Sequence, residues 1–270
     1  MSARVITVTS GKGGVGKTTA TANLSVALAS LNKKVICIDA DIGLRNLDVV
    51  MGLENRIVYD LVDVVEGRCK LRQAMVKDKR LPDLYLLPAA QTRDKTAVSP
   101  EDMVELTNQL RADYDFIVID SPAGIEWGFR NALAPADEVV IITNPEVSAV
   151  RDADRIIGLI EAEEHHVPTS LVLNRVKPDM IKRGDMLSVN DVLEILSIRL
   201  LGVIPEDEQI LVSSNRGSPL TLNNQNSLAG TAFRNIARRI NGEKVPLLEL
   251  EPKSGVFKRL TKMFGGSGSG

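Results

Sequence analysis

Apolar positions along the chain fall into two rhythms. Short apolar runs rich in β-branched residues recur at positions 5–9, 35–39, 113–120, 139–144, 169–174 and 200–204. Bounded by polar and turn-forming residues, such runs predict buried strands. Between them lie helix-like stretches at 18–31, 99–110, 148–164, 185–196 and 228–240. The stretch at 99 opens Ser-Pro-Glu-Asp, a helix-start signature. The stretch at 185–196 has Ser188 or Asn190 as its cap, and Pro205 ends the last strong strand. Strands separated by helices imply parallel pairing with right-handed crossovers. The expected fold class is therefore α/β, a mostly parallel twisted sheet with helices on both faces. In such sheets ligands sit beyond the carboxyl ends of the strands.

Length and composition narrow the function. At 270 residues the chain can bury a substantial single core, and its net charge of −2 predicts no bulk attraction to nucleic acid or membrane. Aromatic residues make up 3%, too few for a base-stacking platform. The two cysteines, Cys37 and Cys69, show no metal-ligand spacing and suit a reducing compartment. No signal or transit pattern precedes the first strand, and no apolar run approaches the roughly 20 residues that span a bilayer. A cytoplasmic or plastid stromal protein is expected.

The chemistry concentrates at residues 11–18, Gly-Lys-Gly-Gly-Val-Gly-Lys-Thr, which match the phosphate-loop pattern G-x-x-x-x-G-K-[ST] at every fixed position. A strand before and a helix after place the loop where backbone N–H groups and a helix dipole converge on one anion. Lys17 is expected to reach the β- and γ-phosphates of ATP, and the Thr18 hydroxyl to hold Mg²⁺. Asp39, Asp41 and Asp120 end or follow apolar strands and belong on the same edge of the sheet. Asp39 and Asp120 are candidates to organise Mg²⁺, and Asp41 to position an attacking water. The segment 39–48 also reads as an ordinary strand-to-helix loop with an Asp cap.

The run Lys12-Gly13-Gly14-Val15-Gly16-Lys17-Thr18-Thr19 resembles the deviant Walker A loop of the MinD/ParA family of P-loop NTPases. Further segments similar to the division-site branch of that family follow in order at 39–48, 77–80, 87–91, 120–126, 144–146, 151–155, 183–186 and 203–207. The resemblance implies a nucleotide-binding site built on Gly11 to Thr19 and an ATP-dependent homodimer, in which Lys12 reaches the partner's phosphates. It implies that Asn174 reads the adenine edge, helped by the backbone around Pro205 and by Asp207. It places a second switch at 120–126, and gives residues 151–155 a share of the dimer and partner surface. A MinC-type inhibitor of the division ring and a MinE-type activator are the implied partners. The alternative within the family is a ParA-like DNA-partition ATPase, for which Arg234, Arg238 and Arg239 would offer a basic surface. An iron–sulfur relative would need cysteines near residues 120–126, where there are none.

The end of the chain changes character. Residues 1–246 read as the ATPase domain, 247–253 as a linker and 254–265 as an amphipathic helix before a flexible end at 266–270. At roughly 100° per residue, Val256, Phe257, Leu260, Met263 and Phe264 share an arc of about 120°. Lys258, Arg259 and Lys262 occupy the other side. A basic face opposite a bulky apolar one predicts a helix lying in the plane of an anionic membrane surface. One such tail is marginal; two on one dimer gain from effective concentration. The predicted protein is thus an ATP-driven, peripheral membrane switch that places a division site, with no specific nucleic acid as partner.

Overall fold

The structure, a computed structural model, describes residues 2–163, 166–223, 227–248 and 250. Its strands are β1 (Arg4–Thr9), β2 (Val35–Asp39), β3 (Val76–Lys77), β4 (Leu84–Leu87), β5 (Phe116–Asp120), β6 (Glu138–Thr143), β7 (Thr169–Val176) and β8 (Arg199–Pro205). They form one eight-stranded sheet in the order β3-β4-β2-β5-β1-β6-β7-β8. Every pairing is parallel except that of β3 with β4. The six strands predicted from apolar runs are all present. The short β3 and β4 add the edge beside β2, and neither carries a long enough run to announce itself.

The first helices are α1 (Lys17–Ala29), α2 (Leu47–Met51), α3 (Leu61–Val65), α4 (Leu71–Ala74), α5 (Pro100–Leu110) and α6 (Trp127–Leu133). Then follow α7 (Val147–Glu161), α8 (Pro178–Arg183), α9 (Val189–Leu196), α10 (Glu208–Asn215), α11 (Leu220–Asn223) and α12 (Leu228–Ile240). α5 starts at a reciprocal box in which Ser99 and Asp102 bond each other's backbone, with Pro100 at the first position. α9 begins later than expected. Of the two candidate caps, Ser188 is the one used, so 185–188 lie outside the helix.

Strand alternation divides the core between the two faces of the sheet. Ile6, Val8, Cys37 and Val118 point to the side covered by α1 and α12, where Leu24, Leu28, Phe233 and Ile236 are buried. Val5, Ile36, Ile38 and Ile117 meet Met103 and Leu106 of α5 on the opposite side. Farther along that side Ile141, Leu171 and Leu173 meet Ile156 and Ile160 of α7 and Val192 of α9. Helices therefore cover both faces.

The centre of the sheet fixes the edge that matters. β1 lies between β5 and β6, and the chain leaves it toward β2 on one side and later crosses to β6 on the other. Val8 pairs with Asp120, and Asp120 with Asp39, so all three strands end together. That is the topological switch point where ligand crevices open.

α12 corrects one expectation. Arg239 does not stand on a free polar face: its guanidinium donates to the carbonyls of Leu201 at 2.8 Å, Val245 at 2.8 Å and Pro246. It fastens the chain after α12 onto β8. Arg238 pairs with Glu243 at 2.7 Å. Of the arginines that kept a DNA-binding surface open, Arg239 is thus committed within the fold, while Arg238 is paired at the surface. The predicted amphipathic helix, and most of the linker before it, lie outside the described residues.

Candidate nucleotide site

The loop from β1 to α1 is shaped by its glycines. Gly14 and Gly16 have φ of 78° and 94°, in the left-handed region where a side chain is strained. Gly11 packs against the backbone of Asp152 in α7, leaving no room for a Cβ. α1 has no side-chain cap and no acidic residue in its first turn, so the N–H groups that follow Gly16 keep their donors for another anion. Val15 is buried, while Thr18 and Thr19 are half-buried at the mouth of the loop. This is the backbone shape that an anion cradle needs.

The two lysines of the loop do different things. Lys17 is buried and its Nζ lies 2.9 Å from Asp120 Oδ1, with Thr18 Oγ1 at 3.5 Å. Thr21, one helical turn along α1, donates to the same Asp120 oxygen at 2.9 Å. Lys12 is turned out of the loop. Its Nζ donates to Ser148 Oγ at 3.1 Å and lies 3.7 Å from the exposed Glu146 carboxylate at the start of α7.

The three aspartates also separate. Asp39 is buried, and it accepts from the N–H of Asp41 at 3.0 Å and of Leu47 at 3.1 Å. Each oxygen thus holds the loop that follows β2, as the capping reading allowed. Burial and the neighbouring Asp120 raise its carboxyl from the ordinary 3.8 to about 7, against the pull of those N–H donors and Lys17. Asp41 is half-buried and its carboxylate makes no ion pair among the described residues. Desolvation raises its carboxyl above the ordinary value, while Lys17 opposes the shift. Residues 120–126 are tied to the phosphate loop: Ser121 Oγ meets Thr9 Oγ1 at 2.9 Å, and Gly124 N donates to Ser10 O at 3.0 Å.

Mg²⁺ can be tested against this donor set. Among the described residues no group of three His, Cys, Asp or Glu could hold a metal by itself. Mg²⁺, however, takes one or two carboxylates and completes its shell with phosphate and water. Asp39 and Asp120 sit at paired strand ends with one lysine between them, and the raised Asp39 carboxyl reflects two carboxyls crowded around a single cation. With the Thr18 hydroxyl near Lys17, they fit a cation that arrives with a phosphate chain.

Beyond Gly16 a cavity of about 260 Å³ opens, lined by Gly16, Thr19, Asn174, Asp207, Ile210 and Ser214 among others. The register of β7 on β8 slips between Leu173 and Val176, and Arg175 takes a positive φ of 55°. That bulge aims Asn174 inward. Asn174 is buried; its Nδ2 donates to Val15 O at 2.8 Å, and its Oδ1 has no partner. Pro205 closes β8 opposite Val176. Asp207 lines the cavity, but its carboxylate caps α10 through Gln209 N at 2.9 Å and accepts from Ser227 Oγ at 2.5 Å. These two bonds tie the start of α10 to the start of α12. Sequence reasoning missed Thr21 and Ser214. Thr21 was readable four residues after Lys17, on the same helical face. Ser214 lies on α10, which the apolar pattern did not predict.

Comparison with known proteins agrees with this geometry. A family model described as an AAA domain matches residues 3–173. The septum site-determining protein MinD of Bacillus subtilis (strain 168) is 55% identical over 262 residues, covering 96% of this chain and 97% of that protein. A solved MinC:MinD cell division protein complex from Aquifex aeolicus contains a chain 49% identical, with a TM-score of 0.84, covering 92% of this chain and 99% of that one. MinD from Pyrococcus horikoshii, solved with Mg-ADP, is 31% identical with a TM-score of 0.80, covering 88% of this chain and 96% of that one. At 55% identity to one such protein over nearly the full length of both, this chain belongs to the MinD family of septum site-determining proteins.

Proposed function

We propose that the chain is an ATP-dependent dimerising switch that hydrolyses ATP and helps place the division site from the membrane. The observation that carries this reading is the contrast between the two lysines. Lys17 is buried inside its own loop, whereas Lys12 stands outside it with 42% of its side chain exposed. A cation that faces away from its own phosphates is placed to serve those of a second copy. In this reading Lys17 and the loop N–H groups bind phosphate, Asp41 orients the attacking water, and Thr18, Asp39 and Asp120 hold Mg²⁺, which neutralises phosphate charge.

The names of the relatives support division-site placement, and the Aquifex complex supports a MinC-type inhibitor as partner. A MinE-type or equivalent activator is inferred by resemblance alone. No described helix is long and apolar enough to cross a membrane. Attachment is assigned, on the basic and apolar faces of their sequence, to residues 254–265, peripherally on the inner face of the membrane, with 1–246 as the ATPase domain.

The test uses the full chain with anionic vesicles. Light scattering should give a dimer with Mg²⁺ and ATP, a monomer with ADP, and a monomer for Lys12→Ala in either. Sedimentation with vesicles should require ATP and fail when residues 256–270 are removed. A monomer with ATP bound, or undiminished sedimentation of the shortened chain, would overturn the proposal. Asp41→Ala should lower turnover about a hundredfold while nucleotide affinity stays within a few-fold.

A further inference from the structure

The cavity beside Gly16 holds one polar group more than the function above uses. Two adjacent serines on α10 behave differently. Ser213 Oγ donates back to Ile210 O at 2.9 Å, the usual habit of a helical serine. Ser214 lines the cavity, and its Oγ is buried with no hydrogen-bond partner in the structure. Asn174 Oδ1 is buried and open in the same way. Two residues that line one small cavity thus each carry an unsatisfied buried polar atom, which costs free energy until a partner is supplied.

We propose that Ser214 is a specificity-determining residue for the nucleotide base: its hydroxyl donates to a ring nitrogen of adenine while Asn174 Oδ1 accepts from the exocyclic amine. The inference rests on the ATP reading and deepens it. Adenine offers one amine donor flanked by two ring nitrogens with lone pairs. A fixed acceptor beside a rotatable hydroxyl matches either amine–nitrogen pair. Guanine carries a carbonyl oxygen where adenine carries the amine. Asn174 cannot turn its amide to suit it. Its Nδ2 is held by Val15 O at 2.8 Å, and a flipped amide would set oxygen against oxygen there. The phosphate loop thereby fixes the orientation of the base reader. Gly16 keeps that arrangement open, since a Cβ at this position would lie 2.5 Å from Asn174 Nδ2.

The experiment is calorimetric titration of the full chain, wild type and Ser214→Ala, with Mg²⁺ and four diphosphates: ADP, GDP, 1-deaza-ADP and 7-deaza-ADP. Ser214→Ala should weaken ADP about three- to tenfold, the worth of one neutral hydrogen bond. One deaza analogue, lacking the nitrogen that Ser214 meets, should bind wild type and Ser214→Ala alike. The other should lose affinity on substitution as ADP does. GDP should bind both proteins at least a hundredfold more weakly than ADP. Ser213→Ala, whose hydroxyl is spent within the helix, should bind ADP normally, and equal thermal midpoints should show both variants folded. Unchanged ADP affinity in Ser214→Ala overturns the inference, as does an equal loss with both deaza analogues. Failure of the wild type to bind ADP at all would instead overturn the nucleotide reading beneath it.

Discussion

Replacing Lys17 should cost stability as well as nucleotide binding. Its ammonium and the Asp120 carboxylate are 8% and 1% exposed, 2.9 Å apart, and Asp39 is buried next to them. Lys17→Met leaves two buried carboxylates with no cation. Removing one partner of a buried pair costs about 3–5 kcal/mol, a large share of a total stability of about 5–15 kcal/mol. Lys17→Met with Asp120→Asn removes both charges, and should cost less than the two single changes summed, with a coupling of about 2–3 kcal/mol. Urea unfolding without nucleotide or metal, followed by circular dichroism, measures all four proteins. Acidity gives a second handle. The Asp39 carboxyl lies at about 7 in the folded chain against an ordinary 3.8, so the folded state holds its proton more tightly. Stability on this account falls as pH rises from about 4 to about 7. Lys17 opposes that shift; without it the fall extends to higher pH, and the penalty of Lys17→Met is larger at pH 8 than at pH 5. A penalty under about 1 kcal/mol, far below that expected for a broken buried pair, would refute the reasoning, and so would one that is equal at the two pH values.

Three shorter predictions follow from the same geometry. Gly16→Ala should lower nucleotide affinity at least tenfold by equilibrium titration, because φ is 94° and the new Cβ meets Asn174. Arg80 bonds Asp78 at 2.6 Å, Met51 O at 2.6 Å and Gly217 O at 3.0 Å, so Arg80→Ala should cost about 2–3 kcal/mol in urea unfolding. Burial alone would raise the Asp137 carboxyl, yet the Arg111 guanidinium and the Val5 N–H hold it below the ordinary value. Its stabilisation is present above the ordinary carboxylate range and lost as pH falls below it, so the penalty of Arg111→Ala should shrink between pH 6 and pH 3 in the same assay.

The strands were legible because their apolar runs are uninterrupted: residues 35–39 and 139–143 could be nothing but buried, and both are. The phosphate loop was legible because its glycines and lysine sit at fixed spacing. α2 and α11 were not, since helices of four or five residues carry too few turns to show a period, and α10 was not, since it buries none of its eight residues and carries no apolar stripe. Their placement depends on contacts distant in sequence. Gly52 at the end of α2 packs so closely on Gly217 beyond α10 that neither admits a side chain. Arg80 clamps both, which explains why the charged run 77–80 is more than a solvated turn. The partners of individual aspartates were equally out of reach. Nothing in the spacing tells that Asp39 spends its oxygens on its own loop while Asp120 takes Lys17.

Those pairings have a consequence for how the site would work. In the free chain Lys17 is matched by Asp120, Lys12 by Ser148 and Glu146, and Asp39 by two backbone N–H groups. A nucleotide entering the loop does not meet idle charges; it must exchange partners with each. Drawing Lys17 toward phosphate uncovers Asp120 beside Asp39, and two buried carboxylates so close favour a cation between them. On the proposed function, metal and phosphate binding would therefore be coupled through one side chain, Lys17. Because Asp39 also fixes the start of the 40–47 loop, a cation that draws on its oxygens acts on the segment that carries Asp41. On the proposed function, the bond network thus links phosphate capture to the position of Asp41, with no separate relay between them.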